Sequence, residues 1–166
     1  PDFQRGTTIK ITGEGITSSN TKPDWLFDGL GQLDPTTAIE YRENLIRADA
    51  GDADAQFHLG LLYGNGVGIP QDHSEALKWY SLAASSDHPG SLNNLALMFS
   101  NGDGVSSDQT RAAELYTRAA NLGEEVAMHN LAINLFNDEG VTKSIKDGLK
   151  YMRKSAEAGF VRAQFK

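Results

Sequence analysis

A polar side chain recurs at one position of this sequence with a constant spacing of 36 residues, and an aliphatic side chain follows it three residues later. The six residues are His58, Leu61, Asn94, Leu97, Asn130 and Ile133. A carboxamide donates and accepts hydrogen bonds at once, which suits the backbone of an extended peptide. The pattern predicts a peptide-binding row. The alternative is that Asn94 and Asn130 bond only to carbonyl groups of neighbouring helices.

Other residues that could carry chemistry lack a suitable arrangement. No two of the histidines at 58, 73, 88 and 129 have the i, i+3 or i+4 spacing of metal ligands on a helix. The run Gly64-Asn-Gly-Val-Gly68 resembles a phosphate cradle, but it follows a predicted helix rather than a strand. We therefore expect no metal, no cofactor and no catalytic activity.

The overall composition narrows the class of partner. A net charge of −7 argues against binding to nucleic acid or to an anionic membrane surface, both of which require clustered Lys and Arg. The chain has no cysteine and no apolar run of membrane-spanning length, so we expect no direct membrane insertion. The sequence does not locate the protein: periplasm and cytoplasm both remain open. Because it starts at Pro1 and stops early in a further helical pattern, we expect a processed or truncated fragment.

The 36-residue spacing extends to whole segments, which is typical of stacked repeats. A small residue opens each copy, at Ala55, Ser91, Ala127 and Ala163. Each copy shows two helical patterns, here called helix A and helix B. The interior of helix B is apolar and carries Trp79-Tyr80 in the first copy.

Residues that favour helix starts and helix ends mark the helix boundaries in each copy. Asp72, Asp108 and Ser144 are predicted N-caps of the B helices. Helix A is predicted to end at a row of asparagines, at Asn65, Asn101 and Asn137, and an apolar turn residue then plugs the core. In helix A, Gly60, Ala96 and Ala132 share one position, where a small side chain allows close approach of two helices.

The first 35 residues do not follow the repeat. Residues 7–12 alternate like a short strand, and the rest is predicted to be extended or flexible. An apolar cluster follows, comprising Trp25, Leu26, Phe27, Leu30 and Leu33. It either covers the apolar face of the first helix, as a solenoid cap does, or serves as a linear motif for another protein.

These patterns predict an N-terminal segment at 1–35 and a solenoid at 36–166. The solenoid comprises a half repeat at 36–52, full repeats at 53–88, 89–124 and 125–160, and the start of another at 161–166. The half repeat is predicted to be a helix from Pro35 to Ala50, capped by Asp34 and stopped by Gly51.

The repeats resemble the Sel1-like repeat family, the α/α relatives of tetratricopeptide repeats. The first copy carries the resemblance at Ala55, Leu59, Gly60, Tyr63, Gly66, Gly68, Asp72, Ala76, Trp79, Tyr80, Ala83 and Ala84. The second and third copies match in the same register, as at Tyr116 and Gly123, or Leu131 and Gly159. Asp87 and Asp138 stand where the family pattern has glycine, so these two turns are expected to differ locally.

The resemblance implies an all-α, right-handed superhelical solenoid of antiparallel helix pairs, with the A helices lining a concave face. Proteins of this family are mostly bacterial and usually act as adaptors that hold a protein or peptide. The resemblance therefore places the row of His58, Asn94 and Asn130 on the binding face. A second hypothesis is that the chain is a spacer or self-association module, and thus a homo-oligomer, within a larger envelope or signalling protein.

Overall fold

A computed structural model of the chain describes residues 10–12, 15–17 and 35–160, with side chains from residue 38 onwards. Near its start, β1 (Lys10–Thr12) pairs antiparallel with β2 (Gly15–Thr17), and Ile11 lies opposite Ile16. The first of these strands lies within the predicted strand at 7–12. The apolar cluster from Trp25 to Leu33 and the predicted cap Asp34 lie outside the described residues.

From residue 35 onwards, the described chain forms seven helices. They are α1 (Pro35–Asp49), α2 (Ala53–Asn65), α3 (His73–Ser85), α4 (Pro89–Asn101), α5 (Gln109–Asn121), α6 (Glu125–Asn137) and α7 (Ile145–Glu157). Each helix packs against the next one along the chain. The structure is an all-α repeat solenoid, as predicted, in which α2, α4 and α6 are the A helices and α3, α5 and α7 the B helices.

The predicted helix-starting residues cap the B helices. The carboxylate of Asp72 accepts hydrogen bonds from the first-turn amides of α3, that of Asp108 caps α5 in the same way, and the Ser144 hydroxyl caps α7. Each side chain satisfies backbone N–H groups that have no partner inside the helix. The three asparagines of the helix-ending row are indeed the last residues of α2, α4 and α6.

The prediction that the Asp87 and Asp138 turns differ from the glycine turns is wrong for the backbone. Asp138 ends α6 with φ 65°, close to the 66° of Gly66 after α2. Asp87 has φ 56°, in the same left-handed region as Gly123 at 95°. Aspartate reaches this region more easily than most residues because its short side chain bonds locally. The Asp138 carboxylate does so by accepting from the amide of Lys143 at 2.8 Å.

The core forms where small residues of the A helices meet aromatic residues of the B helices. Ala55, Ser91 and Ala127 are fully buried, so the residue that opens each of the three full copies lies in the core. A Cβ added to Gly60 would lie 2.5 Å from the ring of Tyr80, closer than packed atoms can come. The predicted close approach at Gly60 is therefore present, and Tyr80 is the residue that uses it.

Candidate partner-binding surface

The six residues of the predicted row lie on the three A helices, two on each. His58 and Leu97 are exposed, and Leu61, Asn94, Asn130 and Ile133 are partly buried. Helices α2 and α4 contact each other directly. The row thus crosses three consecutive units on one class of helix.

A chain of side-chain hydrogen bonds links Asn130 and Asn94, two of the three polar residues of the row, across units. Asn130 on α6 donates from Nδ2 to Oδ1 of Asn93 on α4 at 3.2 Å. Asn93 in turn donates from Nδ2 to Oδ1 of Asn94 at 3.3 Å, and Asn94 bonds to the hydroxyl of Tyr80 on α3. We call Tyr80, Asn94, Asn93 and Asn130 the amide ladder. Because the bonds we observe for Asn94 and Asn130 join side chains, the alternative that these residues only bond helix carbonyls is wrong.

The central member of the amide ladder, Asn93, was not among the predicted residues. It is 8% exposed and uses both ends of its carboxamide within the ladder. Its equivalents in the other units are Phe57 and His129, so no residue type repeats at this position. The one available signal was the Asn93-Asn94 pair itself, since a second carboxamide next to a repeated one can brace it.

The polar end of the amide ladder is a neutral phenol. Burial raises the pKa of Tyr80, and the hydrogen bond from Asn94 acts weakly in the opposite direction. The Tyr80 hydroxyl is therefore protonated at neutral pH. It can serve Asn94 as a fixed hydrogen-bond partner.

A groove opens between α1 and α2 beside the first residues of the row. Its volume is about 230 Å³. It is lined from α1 by Tyr41 and Asn44, and from α2 by His58, Leu61, Leu62 and Asn65. Two predicted residues, His58 and Leu61, therefore share one concavity.

Tyr41, one of the residues that line the groove, is paired with a second buried tyrosine. The hydroxyl of Tyr41 lies 2.7 Å from that of Tyr63, and the two rings meet edge to face. Burial and this hydrogen bond raise the pKa of Tyr41, so the pair stays neutral and bonded at physiological pH. This buried hydroxyl pair fixes α1 on α2.

Two of the other three histidines pack within the helical structure. His88 caps α4 through Nδ1, which accepts from the amide of Ser91 at 3.1 Å, and its ring stacks on Phe57 at 4.6 Å. Its Nε2 lies 3.2 Å from the carboxylate of Asp54. His129 is buried beside the ring of Phe160. Among the residues for which side chains are described, no three metal-ligating groups come together.

Three stacked helix pairs of one period define the class of α/α repeat solenoids. The profile of the Sel1 repeat matches residues 53–88, 89–124 and 126–160. The chain therefore belongs to the Sel1 repeat family. Sel1 repeats are generally protein–protein interaction modules, and their scaffold is typically not catalytic.

Relatives with known structures have the same architecture. A protective antigen of uropathogenic Escherichia coli, described as displaying an SLR fold, superposes with a TM-score of 0.70 at 32% identity and covers 76% of this chain and 27% of its own. A Sel1 repeat protein from Oxalobacter formigenes gives 0.68 at 31% identity, over 76% of this chain and 51% of its own. The Helicobacter pylori cysteine rich protein B, at 19% identity, has a similar fold, with a TM-score of 0.56 over 72% of this chain and 90% of its own.

Among characterised proteins, the DAP3-binding cell death enhancer 1 of Rattus norvegicus is 32% identical over 87 residues. That alignment covers 51% of this chain but only 17% of the rat protein. The matching part of this chain thus corresponds to about a sixth of that relative. Within the described part of the chain, we find no helix with the length and apolar character needed to cross a bilayer.

Proposed function

We propose that this chain is an adaptor that binds an extended segment of a partner protein along the row on its A helices. The observation that supports it is the amide ladder, which bonds the carboxamides of Asn94 and Asn130 in a partly buried arrangement. Each carboxamide keeps donor and acceptor capacity beyond its bonds within the ladder. The aliphatic side chains beside them supply apolar contact area.

The rigidity of this row favours binding. A peptide loses conformational freedom when it binds, and a surface that is already ordered adds no such loss of its own. The repeat sets the spacing of the row, because equivalent residues on A helices recur once per unit. A partner segment that bonds successive units would therefore be extended.

The proposed function includes no catalytic step. The buried tyrosines Tyr41 and Tyr80 have raised pKa values, but both bond to other side chains within the helical packing. A strongly perturbed group indicates catalysis when it faces a cleft together with a specific charged partner. These groups instead support the scaffold.

The test compares two exposed leucines on different helices. Leu97 lies in the row and is 44% exposed, whereas Leu82 lies on the B helix α3 and is 49% exposed. A random peptide library is selected against the immobilised chain, and fluorescence polarisation then measures the enriched peptide against each variant. We expect Leu97→Ser to weaken binding about tenfold, the loss of one buried aliphatic contact, and Leu82→Ser to leave it within about twofold.

Two results would contradict the proposal. One is a failure to enrich any peptide sequence. The other is an enriched peptide whose affinity changes equally in Leu97→Ser and Leu82→Ser. Circular dichroism of both variants checks that each retains the helical content of the wild type.

Self-association is the alternative function, and one observation favours it. Ile145 and Leu149 are both more than half exposed on the B helix α7 and lie on the same side of it. If this face joins two copies, sedimentation velocity will show concentration-dependent dimers that Leu149→Glu abolishes. A monomer at all concentrations would exclude this alternative.

A further inference from the structure

Positive charge is segregated away from the helices that carry the row. The A helices α2, α4 and α6 contain no lysine and no arginine. Of the ten lysines and arginines between residues 38 and 160, nine lie on α1, α3, α5 and α7, and Lys143 lies in the turn before α7. The row is therefore built on helices without a permanent positive charge.

Carboxylates lie where two of these A helices end. Asp103 accepts a hydrogen bond from Asn101, the last residue of α4, at 3.1 Å. Glu139 accepts one in the same way from Asn137, the last residue of α6, at 3.4 Å. Asp103 and Glu139 are 36 residues apart, so this carboxylate is a feature of the repeat.

The groove between α1 and α2 shows that this repeat position borders the row. Val67 precedes Asp103 by 36 residues, and it lines the groove together with His58 of the row. In this first unit the carboxylate comes from α1 instead, because Glu40 lines the same groove. By repeat equivalence, each of the three A helices thus has one carboxylate beside its part of the row.

These three carboxylates remain available to a partner. None of the ion pairs among the described side chains includes Glu40, Asp103 or Glu139. Glu40 and Glu139 are exposed, and Asp103 is partly buried. An ionised carboxylate has about four acceptor sites, so the bond from an asparagine leaves most of them unused. The border of the row is therefore negatively charged and accepts further donors.

We propose that the partner segment bound along the row is basic, with a lysine or arginine facing the carboxylate of each unit and aliphatic side chains between them. This partner chemistry rests on the proposed function, since it describes the segment that would lie along the row. A cation beside each carboxylate forms an ion pair, whereas a partner aspartate or glutamate would meet only like charge. The row residues Leu61, Leu97 and Ile133 supply apolar contact for the side chains between the cations. The same surface thus binds a basic segment and rejects an acidic one.

Selection of the random peptide library against the immobilised chain also reports the charge of the bound segment. We expect lysine and arginine to outnumber aspartate and glutamate at least about threefold among the enriched peptides, since each exposed ion pair changes affinity by about that factor. An enriched peptide is then synthesised again with glutamine at every lysine and arginine. Fluorescence polarisation should show that this neutral peptide binds at least about tenfold more weakly, because several such pairs are lost together.

Two variants of equal net charge separate local contact from long-range attraction. Glu139→Gln and Glu114→Gln each remove one exposed carboxylate, but Glu114 lies on the B helix α5. Glu139→Gln should weaken the enriched peptide about threefold, and Glu114→Gln should leave it within about 1.5-fold. The neutral peptide should bind Glu139→Gln and the wild type equally.

Three results would overturn the basic partner. They are enriched peptides with as many acidic as basic residues, equal affinity for the basic and neutral peptides, and equal effects of Glu139→Gln and Glu114→Gln. If those peptides still lose affinity in Leu97→Ser, the adaptor function stands without a basic partner. If no peptide is enriched, or if Leu97→Ser and Leu82→Ser act equally, the adaptor function fails and the basic partner fails with it.

Discussion

Removing the Asn93 side chain tests whether the amide ladder is a unit. In Asn93→Ala, Asn94 and Asn130 each lose the partner that joins them. The two lost hydrogen bonds, at 3.3 and 3.2 Å, are at the long end of the normal range. We therefore assign each about 0.5 kcal/mol, the lower limit for neutral groups, and expect about 1 kcal/mol from the pair.

The loss of buried contacts adds to the destabilisation expected from the two hydrogen bonds. Because Asn93 is 8% exposed, alanine leaves a small void between α4 and α6. We expect a total loss of about 1 to 2 kcal/mol in the free energy of unfolding. The matched control is Asn101→Ala, which removes the same group from an exposed helix end, where it bonds only to Asp103 at 3.1 Å. That change should lie within about 0.5 kcal/mol.

Urea unfolding followed by far-UV circular dichroism measures these differences, and a double-mutant cycle with Asn130→Ala measures the coupling. We expect a coupling energy of about 0.5 kcal/mol between Asn93 and Asn130, which is the energy assigned to the hydrogen bond between them. A cycle that closes to zero, or a variant Asn93→Ala as stable as the wild type, would refute the ladder. Asn94 and Asn130 would then be independent surface residues.

Asp87→Gly should be more stable than Asp87→Ala by about 1 kcal/mol. Both variants remove the carboxylate, but only alanine keeps a Cβ in the left-handed region. Equal urea midpoints for the two variants would show that the backbone there is not strained. Burial raises the pKa of Tyr116 to about 12, above its unfolded value of about 10. The contribution of this shift to the free energy of unfolding is therefore complete below pH 10, and it falls by up to about 2.7 kcal/mol as the pH rises through 12. Urea titrations across that range should show a shallower decline in Tyr116→Phe, and an unchanged decline would rule this source out. Glu124 caps α6, and Glu124→Asp should raise the free energy of unfolding by about 0.5 kcal/mol because aspartate is the better N-cap. Asp52 already caps α2 in the same way. A lower Tm of the variant would contradict this.

The repeated residues made the fold predictable from sequence. Each of them performs the same task in every unit: Ala55, Ser91 and Ala127 allow close packing, and Asp72 and Asp108 cap B helices. A pattern seen three times in one register predicts the helices without any knowledge of contacts. It also predicted which helix class carries His58, Asn94 and Asn130.

The features that could not be predicted lie where the units differ. Asn93 corresponds to Phe57 and His129 in the other units, so a comparison of repeats shows no common residue type at that position. Its role depends on a neighbour in three dimensions, namely Asn130. Asp87 was misjudged for a related reason, because residue type alone does not reveal that its φ matches that of glycine.

The cap at His88 joins two consecutive A helices. Since Nδ1 accepts from the Ser91 amide, the neutral ring has its proton on Nε2, facing Asp54 on α2. One imidazole in one tautomer, stacked on Phe57 of α2, therefore both caps α4 and ties it to α2. The cap of α6 is the carboxylate of Glu124, and the bond that ties α6 to α4 is instead the one from Asn130 to Asn93. The two junctions of the solenoid thus have the same packing but are joined by different chemistry, so a change at one of them need not alter the other.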